Sequence, residues 1–139
     1  GKDYVLQRQL RPEARMDVVY ELAEASVLPS SMIDVSDGLA SDLLHLCAQS
    51  GVGAVVFEGR LPIDEQTFLA ASDLNISPVT AALNGGEDYE LLFTVPQESY
   101  EKIKNNPKIS VIGYITEDKE VVLQTKADSR VPITAQGWS

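Results

Sequence analysis

Residues 31–51 constrain this chain more than any other stretch. Met32, Ile33 and Val35 make a short apolar strand that runs through Asp34-Val-Ser-Asp-Gly38 and straight on into an amphipathic helix. Leu39, Leu43, Leu46 and Cys47 recur on one helical stripe, and Gly51 closes the helix in the manner of a C-terminal cap. Asp34, Ser36 and Asp37 crowd the strand end, and Gly38 removes side-chain bulk where the helix begins. Two carboxylates and a hydroxyl at such a junction can hold a metal ion and a phosphate. Equally, Ser36 or Asp37 can do no more than cap the helix, so the choice depends on the rest of the chain.

The flanking patterns build a mixed α and β domain. Val18, Val19, Leu22, Ala23 and Ser26 recur at helical spacing within residues 15–26. The β-rich residues 52–57 follow the central helix, and a crossover of that length makes the two strands parallel and right-handed if they share a sheet. Helices are expected from Pro62 and Asp64 through Ala71 and over residues 78–83, a strand over 89–95, and a helix over 96–105. Residues 109–115 and 120–124 read as a hairpin around the turn 116–119. Residues 4–10 are an extended lead-in or a linker, and the tail from Thr125 stays polar until Ile133.

Composition removes whole classes of function. A length of 139 residues suits one domain, residues 1–139, and 44% hydrophobic with 23% charged residues is a globular balance. No apolar run approaches bilayer length. The net charge of -10 disfavours nucleic acid, whose phosphates need a basic surface. It also means that a phosphorylated ligand would need hard cations to bridge carboxylate and phosphate. The single cysteine, Cys47, cannot form an internal disulfide and belongs in the core, which agrees with a reducing, cytoplasmic setting. His45, the lone histidine, is expected either at the surface or behind the ligands of a site, not as a ligand itself, which argues against a histidine-based zinc site.

A second acidic segment precedes the strand at residue 89. In Asn84-Gly-Gly-Glu-Asp-Tyr-Glu90, two glycines free the backbone and Glu87, Asp88 and Glu90 gather at a strand entrance. Such carboxylates face solvent, a cation or a cationic ligand. No Gly-x-x-x-x-Gly-Lys loop, dinucleotide fingerprint or serine elbow is present, which leaves the acidic turns as the candidate chemistry.

Ile33-Asp-Val-Ser-Asp-Gly-Leu39 followed by Gly85-Gly-Glu-Asp-Tyr-Glu-Leu91, with Arg11-Pro12 ahead of both, resembles the thiamine-monophosphate kinases. These belong to the aminoimidazole-ribonucleotide-synthetase-like superfamily. The resemblance covers the carboxy-terminal half of such an enzyme and implies an α+β fold, a mixed β-sheet covered by helices. It implies transfer of the γ-phosphoryl group of ATP to thiamine monophosphate, with Asp34 and Asp37 as Mg2+ ligands. Ser36 would contact the ATP phosphates, and Glu87 and Trp138 the substrate. It names no catalytic acid or base, since a terminal phosphate is already a nucleophile. It further implies an amino-terminal ATP-binding domain that these residues do not include, a homodimeric full-length protein, and a fragment that is inactive alone.

Two departures stand out: Ala14 replaces a proline usual in the family's Arg-Pro segment, and the glycine-aromatic motif breaks off at Gly137-Trp-Ser139. Two rival readings remain: another synthetase of the superfamily, acting in aminoimidazole-ribonucleotide or selenophosphate synthesis, and a noncatalytic ligand-binding or assembly module.

Overall fold

The computed structural model describes residues 3–10, 15–35, 38–61, 72, 89–106, 109–134 and 137–138. The elements, in chain order, are β1 (Asp3–Leu10), α1 (Arg15–Glu24), β2 (Ser31–Val35), α2 (Leu39–Ser50) and β3 (Gly53–Phe57), then a 3-10 turn at Glu58–Arg60. They continue with β4 (Tyr89–Pro96), a short α3 (Gln97–Tyr100), β5 (Ile109–Thr116), β6 (Val121–Gln124), β7 (Arg130–Thr134) and β8 (Gly137–Trp138). The strands form a mixed sheet in the order β2-β4-β1-β5-β3-β6-β7-β8. All pairings are antiparallel except β3 with β6. This is the α+β architecture expected from the sequence.

Two apolar layers sandwich the middle of the sheet. On one side Leu39, Leu43, Leu46 and Cys47 of α2 pack on Val5, Val56, Leu92, Ile112, Leu123 and Ile133. On the other side Leu22, Val27 and Ile103 pack on Leu6, Leu91, Phe93 and Val95. Strand β4 therefore buries successive residues on opposite faces, which is why residues 91–95 read as a continuous apolar run. Strand β1, the stretch left open between lead-in and linker, is central: Val5 faces one layer and Leu6 the other. Its doubly buried segment is too short to print an alternation.

Helix α2 contacts β2 at one edge of the sheet and β7 and β8 at the other. A flat sheet of eight strands would be roughly 34 Å wide, against about 10 Å for a helix. The sheet therefore curls around α2. Both long helices end as the sequence allows. Gly51 takes φ 67 and its N–H reaches the Ala48 carbonyl, while the Val52 N–H reaches Cys47, a Schellman closure. Ser26 does the same for α1 at φ 57 without the benefit of a glycine.

Four expectations need correction or restatement. Strands β5 and β6 do not form a hairpin, because β3 lies between them, antiparallel to β5 and parallel to β6. Glycine makes the insertion possible. A Cβ on Gly53 would collide with the Glu120 carbonyl oxygen of the β5–β6 turn, and one on Gly113 would overlap the Val55 carbonyl. The turn itself is held by Asp118, whose Oδ1 accepts the Thr116 hydroxyl at 2.6 Å and the Glu120 N–H at 3.0 Å. Strands β2 and β3 do share a sheet and run in the same direction, but β4, β1 and β5 separate them. The helix expected over 96–105 is one turn long, giving way to turns through residue 105. The polar tail forms β7 and β8, and along β7 exposed residues alternate with the partly buried Val131 and the buried Ile133. The helices expected over 62–71 and 78–83 lie outside the described residues.

Candidate functional site

The register of the sheet decides how the two acidic segments relate. Asp34 is paired with Leu91 and Val35 with Glu90, so β2 ends where β4 begins. On the other side of β4, Leu10 is paired with Tyr89, so β1 ends there too. The three motif segments of the sequence, at Arg11-Pro12, at Asp34–Gly38 and at Gly85–Tyr89, thus join the sheet on adjacent strands at one end.

Helix α2 starts beside this junction. Its N-cap is Gly38, with φ 110 and ψ 150, a conformation that side-chain-bearing residues strongly resist. Glycine is thus needed for the backbone path and not only for the space it leaves. The Asp42 N–H closes the first turn on the Gly38 carbonyl at 3.0 Å. Gly38 has no side chain, so the N-cap residue itself offers the helix no side-chain cap. The first-turn N–H groups of an α-helix and its positive dipole end favour an anion.

Of the residues singled out beforehand, Asp34 is the fourth residue of β2 and Trp138 lies on β8. Ser36, Asp37 and Glu87 lie outside the described residues. Strand β8 is the opposite edge of the sheet from β2, and both flank α2 because the sheet curls. Among the described residues no group of three His, Cys, Asp or Glu is placed to hold a metal.

One further acid stands close behind the turn on the same helix. Asp42 is 3% exposed, engaged with its surroundings, and sits in the first turn of α2, where the helix dipole stabilises a negative charge. Its signal in the sequence is that it occupies the apolar stripe, three residues after Leu39 and one before Leu43. Cys47 is buried as expected, and burial pushes its thiol up to about 11. His45 is exposed, as its position on the helix implied. No helix among the described residues is long and apolar enough to cross a membrane.

A curled mixed sheet around a helix that starts at an acidic, glycine-bearing turn defines a class of protein. The chain belongs to the family of AIR synthase related proteins, C-terminal domain, which it matches over residues 3–126. Within that class it is similar to the thiamine-monophosphate kinase of Aquifex aeolicus (strain VF5), at 33% identity over 136 residues, covering 96% of this chain and 40% of the relative. The chain thus spans well under half the length of that curated relative.

The structure of AaThiL complexed with AMPPCP and TMP matches with a TM-score of 0.71 at 27% identity, covering 88% of this chain and 47% of that one. The hydrogenase maturation protein HypE of E. coli shares the fold, with a TM-score of 0.75 at 16% identity over 96% of this chain and 49% of its own.

Proposed function

We propose that this chain is the carboxy-terminal domain of a thiamine-monophosphate kinase, working with an amino-terminal ATP-binding domain to transfer the γ-phosphoryl group of ATP to thiamine monophosphate. The observation that carries the reading is the Val35–Glu90 register, which joins both acidic motifs at the sheet end where α2 begins. The similarity to AaThiL complexed with AMPPCP and TMP, a complex with two phosphate-bearing ligands, supports it. The likeness to HypE supports only the fold.

Phosphoryl transfer brings two anions together, so charge neutralisation and alignment supply most of the catalysis. In this reading Asp34 and Asp37 hold Mg2+. The donor set fits: carboxylate oxygens are hard ligands, and no sulfur or imidazole competes at the turn. Magnesium bound there supplies positive charge to the phosphates. Ser36 and the free N–H groups at the start of α2 face phosphate oxygens. Glu87 and Trp138 contact the thiamine moiety, Glu87 matching its cationic ring in charge. No residue is needed as a general base, because the terminal phosphate of the acceptor is already a nucleophile.

The test is an assay of thiamine diphosphate formation with ATP and Mg2+. The chain alone is expected to be inactive, and the chain joined to the amino-terminal half of the Aquifex relative is expected to turn over. Asp34→Asn and Asp37→Asn in the joined protein should each lower kcat by about 100-fold or more. Joined protein that stays inert towards thiamine monophosphate, or Asp variants with full activity, would overturn the reading.

A further inference from the structure

At the other end of α2, away from the acidic turn, the core-facing positions of three neighbouring strands turn polar. Asp3 lies two residues before Val5, Ser31 two before Ile33, and Thr94 two after Leu92, and strand residues two apart share a face. Apolar residues at these positions would extend the α2 core to the end of the sheet. Instead Asp3, Ser30, Ser31, Ser50 and Thr94 line a pocket of about 160 Å³, its wall completed by Leu46, Val52 and Ile115 and one side open to solvent. Thr94 is only 2% exposed, and its hydroxyl is committed to that of Ser31 at 2.7 Å.

The charge that the described residues bring to this space has one sign. Asp3 contributes a carboxylate and the C-terminal end of α2 carries the negative end of the helix dipole, while among the described residues no lysine, arginine or histidine lines the wall. Hydroxyls of Ser30, Ser31 and Ser50 add acceptors. A bare metal ion fits poorly, because hard cations need six or more oxygens at about 2.3–2.6 Å, whereas part of this wall is hydrocarbon. The volume is close to that of an apolar cavity of about 150 Å³ known to hold benzene. We infer that this cavity is a binding site for a compact alkylammonium ion, its ammonium group against Asp3 and the serine hydroxyls and its alkyl body against Leu46, Val52 and Ile115. The site is independent of the kinase reading, since it lies at the opposite end of α2.

Backbone amide shifts of the full chain, titrated with n-butylammonium chloride, n-butanol and potassium chloride, test the assignment. Butylammonium is expected to move the amides of Ser31, Ser50 and Thr94 at millimolar concentrations, with n-butanol and potassium leaving them unchanged. Asp3→Asn should weaken binding by about tenfold or more, the scale of a lost charge-assisted hydrogen bond. Val52→Phe, which fills the cavity from a partly exposed wall position, should abolish binding and leave the rest of the spectrum native. The site assignment falls if butylammonium moves none of these amides, or if Val52→Phe binds normally. The choice of ligand falls if butanol or potassium gives the same shifts, or if Asp3→Asn binds undiminished.

Discussion

Val35 and Glu90 are directly opposed in the β2–β4 ladder, although more than fifty residues separate them in the chain. This one pairing sets the distance between the two acidic motifs. Opposed residues in an antiparallel pair have Cα atoms about 4.5–5.5 Å apart, within the span of a disulfide. A Val35→Cys, Glu90→Cys variant in a Cys47→Ala background is therefore expected to form an intramolecular disulfide under mild oxidation. Gel mobility with and without reductant reads it. A register slipped by one residue would instead favour crosslinking of residue 35 to position 89 or 91.

The insertion of β3 between β5 and β6 depends on Gly113 lying against the Val55 backbone. Backbone cannot yield as a side chain can. Gly113→Ala is expected to destabilise the chain by about 3 kcal/mol, lowering the thermal midpoint by roughly 10 °C. Gly59→Ala, where an added Cβ meets nothing, serves as the control and should change little.

Burial of Cys47 couples its ionisation to folding. Its folded-state value of about 11 lies above the ordinary 9.0, so the folded state keeps its proton where the unfolded chain loses it. The stability this contributes is whole below pH 9 and falls as pH rises from 9 towards 11, by about 3 kcal/mol in all. Comparing urea midpoints of the chain and of Cys47→Ala across that range isolates the effect. The difference between them should shrink as pH rises. In the native state the thiol should resist disulfide reagents until the chain unfolds.

The turn that carries the chain over β3 rests on Asp118. Bonds from the Thr116 hydroxyl and the Glu120 N–H hold its carboxyl below the usual carboxylate range. A depressed folded-state value contributes stability above the unfolded pKa and loses it as pH falls through the folded value. Asp118→Asn should therefore flatten the acid side of the stability profile. Denaturation midpoints of the chain and of this variant between neutral and strongly acid pH check it.

Much of the fold was legible because local rules and tertiary demands agree. Leu39, Leu43, Leu46 and Cys47 marked the buried face of α2, Gly51 its end, and residues 91–95 a strand buried on both sides. The failures have one cause. Residues 109–115 and 120–124 look like hairpin partners because only a short turn joins them, and nothing local says that β3 will come between. Strand β1 shows no alternation because Val5 and Leu6 serve different cores. The site divides similarly. The acidic motifs were visible as strings of residues, but the burial of Asp42 was not, since an acid on an apolar stripe reads first as an interruption.

The sequence by itself determined the units: a strand, an acidic turn with a glycine at its exit, and a helix with one apolar face. Spacing and backbone chemistry act over a few residues and suffice for that. Only the tertiary structure decided that Val35 meets Glu90, that β3 parts β5 from β6, and that the sheet curls so that both its edges reach α2. Those outcomes depend on which strands exclude water together, and on glycines whose missing Cβ lets distant backbones touch.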